Sequence, residues 1–316
     1  MANNPSVVAG IDLGSNTFRL LIARLDEGGL EPLTKKLAPV RLGRCLATHR
    51  ILQQDSLARA YEVLASFRDV LDCQPIDCLR ICGTEALRSA RNSHQFVQQA
   101  ETIIGHPIDI ITSQEEARLT LAGALTTLNR PWPESLLLVD VGGASTELIF
   151  SQAPFTKASI RSLLLGAVSL TEQFLPGQRI EAKQVEKLSI YLAEALQPTL
   201  DNLGIAGITL PTVMGCGGTV TSLAALDLGL VEYETDRVQG HILFASNIDN
   251  IWKQLKNLTA EERNLIPGLE EGRGEILPAG IRIYQALLDL LQYKQIKVSD
   301  SGLLEGIALS SHAGNC

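Results

Sequence analysis

No uninterrupted apolar run in the 316-residue sequence reaches the roughly 18 residues of a membrane span, so none is expected. The opening MANNPSVV lacks the basic and apolar regions of a secretory signal and runs straight into a strand-like stretch. Six cysteines, Cys45, Cys73, Cys78, Cys82, Cys216 and Cys316, form no C-x-x-C pair and have no histidine at ligand spacing. That argues against a zinc module and a disulfide framework, and predicts reduced, buried thiols in the cytoplasm. The five histidines are scattered, so neither a histidine metal cluster nor a catalytic triad is expected. No G-x-S-x-G motif supplies a serine nucleophile, which favours direct attack by water in any hydrolysis. Positive charge is scarce as well. A formal net charge of −8 argues against a nucleic-acid partner, and a polyanionic ligand would need locally clustered Arg and Lys together with a divalent cation.

What is present is a repeat. Residues 136–150 read LLLVDVGGASTELIF: an apolar strand carrying a single Asp140, a glycine break, and a second strand. An acid near the end of a buried strand is costly unless a metal, a donor or water meets it. Glycines remove the Cβ atoms that would hold a ligand away from backbone N–H groups, and successive free N–H groups form an anion-binding concavity. Residues 7–22, VVAGIDLGSNTFRLLI, repeat the plan. Laying Asp12 on Asp140 puts Gly14 on Gly142, Ser15 on Gly143, Asn16 on Ala144 and Thr17 on Ser145. Two hairpins of one design, far apart in a chain of this length, predict two domains of the same α/β fold. A third glycine cluster, Gly215-Cys216-Gly217-Gly218-Thr219, stands between an apolar run and a helical pattern, as in an anion site at a helix N-terminus.

In chain order the pattern predicts strands over residues 7–13, 17–25 and 32–42, a helix over 52–71, and a strand over 76–82. A helix starting over 86–90, a strand over 107–111 and a helix from Ser113 to about residue 128 follow. The second half shows the hairpin, a strand near 157–164, a helix over 182–203, a strand over 208–213 and a helix over 219–228. Helices over 248–258 and 276–291, a short strand over 296–298 and a helix to residue 310 close the chain; residues 231–246 are the least readable part.

IDLGSNTFRLLIA, ICGTEALRSARN, ITSQEEARLTLAGA, LLLVDVGGASTELIF, VMGCGGTVTSLAAL and VSDSGLLEG occur in an order and spacing that resemble the exopolyphosphatase and guanosine pentaphosphate phosphohydrolase family. The likeness covers nearly the whole chain. It implies two similar actin/Hsp70 ATPase-like, ribonuclease H-like domains, 1–124 and 125–302, with a cleft between them, and a last helix, 303–316, that packs back on the first. It implies hydrolysis of the terminal phosphoanhydride of inorganic polyphosphate, of guanosine pentaphosphate, or of both. An ATP-dependent small-molecule kinase of the same superfamily, or a catalytically weak sensor of guanosine tetra- or pentaphosphate, are the alternatives.

The residues carried over are Glu116 as general base, with Glu115 as the alternative; Asp12, Asp140 and Glu147 around Mg²⁺ or Mn²⁺; and Arg88 on phosphate. The turns Gly14, Ser15, Asn16, Thr17, then Gly142, Gly143, Ala144, Ser145, Thr146, then Gly217, Gly218, Thr219 would complete the phosphate contacts. A homodimer, with neither nucleic acid nor membrane as partner, is the expected assembly.

Each residue has a plainer role as well. Ser113-x-x-Glu116 fits a capping box, in which Glu116 would only satisfy a helix start. Glu85 and Arg88 could form a surface ion pair, Asp12 and Asp140 could cap their own turns, and Glu147 could face solvent. Three motif positions depart from the family: Ala144 replaces a third glycine, Leu304 replaces an arginine, and Gly274-Glu275 replaces Ala-Asp.

Overall fold

Every residue from 8 to 13 is buried, without the alternation of a half-exposed strand, and such a segment belongs in the middle of a sheet covered on both faces. The computed structural model, which describes residues 6–27, 29–128, 131–205 and 211–313, places it there. The chain divides into two compact units, one of Met1–Thr126 with Ser301–Cys316 and the other of Thr127–Asp300.

In the first unit β1 (Ser6–Leu13), β2 (Thr17–Asp26) and β3 (Gly29–Pro39) form an antiparallel meander. β4 (Cys78–Gly83) and β5 (Asp109–Ile110) extend it in parallel on the other side of β1, in the order β3-β2-β1-β4-β5. The expected strand over 107–111 shrinks to two residues, since Pro107 has no N–H to give to a ladder. Helices α1 (Leu46–His49), α2 (Gln54–Asp72), α3 (Glu85–Ser89), α4 (Ser93–Ile104) and α5 (Ser113–Leu125) connect the strands. α3 and α4 are separate because Ala90 turns to an extended conformation, ψ 132°; the sequence pattern had shown only the first.

The second unit repeats the plan. β6 (Ser135–Val141), β7 (Thr146–Gln152) and β8 (Ala158–Leu163) are the meander, and β9 (Thr212–Cys216) and β11 (Gln295–Val298) continue it in parallel beyond β6. A three-residue β10 (Ile242–Phe244) pairs antiparallel at the edge and lies in the stretch whose sequence pattern was least readable. The order is β10-β11-β9-β6-β7-β8. Its helices are α6 (Ala167–Phe174), α7 (Ala182–Asp201), α8 (Gly218–Asp227), α9 (Thr235–Val238), α10 (Ala245–Leu255), α11 (Ala260–Asn264) and α12 (Arg273–Leu291). Apart from β10 the two sheets share one strand order. Each unit has the ribonuclease H-like fold of the actin and Hsp70 ATPases. Part of the expected strand over 208–213 lies outside the described residues, and β9 is what the structure describes of it.

α13 (Leu303–Ala313) belongs to the first unit and packs against β1, β4 and α5. Leu304 and Ala308 join Val8, Leu21, Ala23 and Cys78, while Leu303 and Ile307 join Cys82 and Ile111. The helix can approach this closely because glycines line its path. A Cβ on Gly306 would lie 1.9 Å from the Leu119 carbonyl oxygen, and one on Gly123 would lie 1.9 Å from that of Gly302. α13 therefore fixes the position of α5, the helix that carries Glu116.

Cys45, Cys73, Cys82 and Cys216 are free thiols as expected, but of these only Cys82 and Cys216 are buried; Cys45 is half-buried and Cys73 exposed. Burial pushes the Cys82 thiol up to about 12, so it is a packing group. Cys78 departs from the expectation: it is disulfide-bonded.

Candidate active site

Both glycine turns are pinned by their carbonyls. In the second unit Gly142 N–H closes on Ser145 O at 2.9 Å, and the carbonyls of Gly142 and Gly143 accept from Ala167, Val168 and Ser169 at the start of α6. In the first unit the carbonyls of Ser15 and Asn16 accept from Gly43, Val40 and Arg41 at 2.7–2.9 Å. A trans peptide points its N–H opposite to its C=O. The N–H groups of Gly143 and Ala144, and of Asn16 and Thr17, are thus turned away from the bracing segments, which is the arrangement an anion-binding turn needs.

The side chains of two expected phosphate ligands are otherwise engaged. The Thr146 hydroxyl donates to Leu165 O and the Thr219 hydroxyl to Val141 O, and both residues are buried in the layer beneath the turn. The hydroxyls brace the turns, which leaves the backbone N–H groups as the groups there that could reach a ligand. Ser15, Ser145 and Thr17 are also buried, and Asn16 Nδ2 donates to Thr17 Oγ1 at 3.2 Å.

Asp12 and Asp140 end the central strands of their sheets. Asp12 stands opposite Arg19 across β1 and β2, and Arg19 donates to its Oδ2 from Nε at 2.9 Å and from Nη2 at 2.6 Å. Oδ1 of Asp12 is buried without a hydrogen-bond partner. Burial raises the Asp12 pKa above the ordinary 3.8 even though Arg19 pulls it down. In the second unit Asp140 stands opposite Glu147, which accepts a hydrogen bond from Ser162 Oγ at 2.8 Å. The Asp140 carboxylate lies against the third turn: a Cβ on Gly217, at φ +81°, would be 2.3 Å from Asp140 Oδ1. Only glycine serves there, for both conformation and space.

These features suit a hard cation of the magnesium type. Such an ion keeps several waters and takes one or two carboxylates plus ligand oxygens. The two opposed acids of the second unit, Asp140 and Glu147, match that carboxylate count; among the described residues no group of three or more His, Cys, Asp or Glu stands close enough to hold a metal by itself.

Glu116 is decided by where α5 begins. The N-cap is Thr112, whose Oγ1 accepts from Glu115 N–H at 3.2 Å, one residue earlier than the Ser113 capping box required. That reading of Glu116 is corrected, because Thr112 already holds the extended cap geometry (φ −69°, ψ 157°) and Ser113 is inside the helix. Glu115 points outward and pairs with Arg80 at 2.6 Å, its side chain 40% exposed. Glu116 turns inward, its side chain 10% exposed, and meets Arg88 Nη1 at 2.7 Å.

Arg88 also donates to Ile111 O at 2.8 Å and to Glu85 at 2.9 and 3.1 Å. Burial opposes its charge, but Glu116 and then Glu85 more than offset this and raise its pKa. The Glu85–Arg88 pair anticipated from sequence is real, yet it is one side of a buried bridge that also reaches Glu116. In this structure the guanidinium orients the candidate base, leaving little of it for a phosphate.

One residue that the sequence reading left out sits in the second unit. Arg273 starts α12 and bonds Glu270 at 2.7 Å. A Cβ on Gly218 would come within 2.3 Å of its Nη2, and its Nε is buried without a partner. Because the turn and Arg273 are separated by several helices, no local spacing could have joined them.

A family model described as the Ppx/GppA phosphatase family matches residues 21–313. The chain belongs to that family. It is 31% identical over 307 residues to a guanosine-5'-triphosphate,3'-diphosphate pyrophosphatase of Vibrio vulnificus, covering 97% of this chain and 59% of that protein. A putative exopolyphosphatase of Haemophilus influenzae is 28% identical, with 97% of this chain and 92% of that one covered. The crystal structure of the Aquifex aeolicus member of the Ppx/GppA family superposes with a TM-score of 0.81 at 28% identity, over 98% of each chain. This Ppx/GppA chain thus spans about 59% of the length of the Vibrio relative and nearly all of the Aquifex protein.

Proposed function

We propose that this Ppx/GppA chain hydrolyses the terminal phosphoanhydride of a linear polyphosphate, of guanosine pentaphosphate, or of both. The observation that carries the reading is the position of Glu116: inward, buried and held by Arg88 at 2.7 Å, on a helix whose N-cap is Thr112. A general base must be aimed before its pKa matters, and this one is.

In the reaction, backbone N–H groups of the turn at residues 14–17, in the same unit as Glu116, bind non-bridging oxygens of the substrate. Glu116 orients a water molecule and takes its proton as the water oxygen forms a bond to the terminal phosphorus. The bond from that phosphorus to the bridging oxygen breaks, releasing orthophosphate and a chain one phosphate shorter. Asp140 and Glu147 of the second unit would hold Mg²⁺ or Mn²⁺, which neutralises phosphate charge when bound. Positioning and charge neutralisation supply most of the rate in phosphoryl transfer, so a site built of turn amides, carboxylates and one base is sufficient in kind. The names of the Vibrio and Haemophilus relatives support both substrates. A cytoplasmic homodimer belongs to the same reading, and among the described residues no helix is long and apolar enough to cross a membrane.

Orthophosphate release from polyphosphate and from guanosine pentaphosphate, with and without ADP or ATP, tests it. Release without nucleotide is expected. Transfer that requires nucleotide would identify a kinase, and tight binding of guanosine tetraphosphate without turnover would identify a sensor.

A further inference from the structure

The chain is acidic overall, yet two segments that the fold joins in the first unit contain no acid. Residues 32–54 carry Lys35, Lys36, Arg41, Arg44 and Arg50, and residues 86–100 carry Arg88 and Arg91, with no Asp or Glu in either. The fold staples these two segments together. Arg91 N–H donates to Arg50 O at 2.9 Å, Leu52 N–H donates to Asn92 Oδ1 at 2.8 Å, and Asn92 Nδ2 returns to Leu52 O at 3.1 Å. Arg50 and Arg91 are brought side by side, both exposed and neither with an ion pair among the described residues; His49 and His94 flank them, also exposed.

The patch is continuous with the candidate site. At one end, residues 40–43 bond directly to the carbonyls of Ser15 and Asn16 in the first glycine turn. At the other, Arg91 follows Arg88, which holds Glu116, by three residues, at most about 11 Å of chain. Arg44 lies between, bonded to Asp55 at 2.9 Å but with its side chain 52% exposed, an exposed pair of the kind that contributes little and yields to a stronger anion. Two arginines whose backbones are held together, with no acid in either segment, make a locally positive surface. A sequence with a net charge of −8 has acids to spare for neutralising them, and none stands in either segment.

We propose that this face of the first unit, centred on Arg50 and Arg91, is the track for the part of an inorganic polyphosphate chain that lies beyond the phosphoryl group being hydrolysed. A linear polyphosphate carries a negative charge on every internal phosphate and no base edge to read, so it asks only for evenly placed cations along a path from the site. The inference rests on the hydrolase reading and adds to it a preference for chains over nucleotides, carried by residues outside the reacting centre.

The test is the double substitution Arg50→Gln with Arg91→Gln, with Arg91→Gln alone as the milder variant should the pair impair folding. The ratio of kcat/KM for long-chain polyphosphate to that for tripolyphosphate is expected to fall about tenfold. The slope of log kcat/KM for long chains against log salt is expected to become shallower by about 1.4, at about 0.7 for each phosphate that an arginine no longer neutralises. An unchanged ratio and slope, with long chains still hydrolysed, overturns the track and leaves the hydrolase reading standing. If no polyphosphate of any length is hydrolysed, the hydrolase reading fails instead. The track is then judged by equilibrium binding of long-chain polyphosphate to Glu116→Gln, with and without the two Arg substitutions: weaker binding with them supports it, and equal binding overturns it. An RNA homopolymer that binds as tightly as polyphosphate, and loses that binding in the same variant, would show a surface for nucleic acid and overturn the assignment.

Discussion

Asp140 and Glu147 face each other across β6 and β7 at the register positions that Asp12 and Arg19 occupy across β1 and β2. One copy of the repeated hairpin closes its buried acid with an arginine at 2.6 Å, and the other sets a second acid against it. Like charges directly opposite on a sheet are destabilising by up to about 1 kcal/mol, and the cation proposed for the second hairpin would relieve that repulsion.

Mg²⁺ should therefore stabilise the protein even without substrate. Thermal unfolding in the presence of Mg²⁺ is expected at a higher Tm than in excess EDTA, and Glu147→Gln should raise the Tm in EDTA while shrinking the response to Mg²⁺. Equal Tm values with and without Mg²⁺ in the parent protein would count against a cation at this pair. Activity should be lost in EDTA for the same reason.

Glu116→Gln should reduce kcat by on the order of 10²-fold or more, because it removes a base, while polyphosphate affinity is retained. Glu115→Gln should leave kcat within a few-fold, since Glu115 points to Arg80 on the outer side of α5. Steady-state kinetics on the two variants separates them; the reverse ranking would shift the base by one residue.

Gly306→Ala and Gly123→Ala should each destabilise the first unit by about 1–3 kcal/mol, the usual range for forcing atoms into a filled space. In both cases the added carbon would sit 1.9 Å from a carbonyl oxygen where α5 and α13 meet. Urea unfolding measures the loss. A lowered kcat at temperatures where the variants remain folded would show that α13 governs the placement of Glu116.

The pH dependence of stability should carry the mark of Asp12. Its folded pKa is raised above 3.8 by burial, so the folded state binds the proton more tightly than the unfolded chain. That contribution is fully present below pH 3.8 and is lost as pH rises through the raised value. Relative to Asp12→Asn, whose side chain does not titrate, the parent protein should lose stability as pH is increased over that window in EDTA. Denaturant unfolding of both proteins across that window is the measurement, and a difference independent of pH would contradict the raised value.

The paired hairpins were legible in the sequence because everything in them is local. Continuous apolar runs on either side of a glycine break mark the hairpins, and their register puts Asp12 opposite Arg19 and Asp140 opposite Glu147. Two domains of one α/β fold followed from the same repeat, and their ribonuclease H-like class from the family resemblance. Helix α4 was missed because one extended residue, Ala90, interrupts the pattern, and β10 because three residues are too few to show a period.

The occupants of the candidate site were settled elsewhere. The sequence offered Ser113 and Glu116 as a capping box, and only the folded loop shows Thr112 taking the cap. Arg88 could have held Glu85 or a phosphate; packing of α3 against the start of α5 gave it Glu116 as well. Arg273 against Gly218, and Arg91 bonded to Arg50, join segments with no common periodicity. Short-range hydrogen bonding and steric limits act between neighbours in the chain and so can be read along it. The partner of a buried charge is whichever group the packing of distant segments brings within reach, and that choice exists only once the chain has closed on itself.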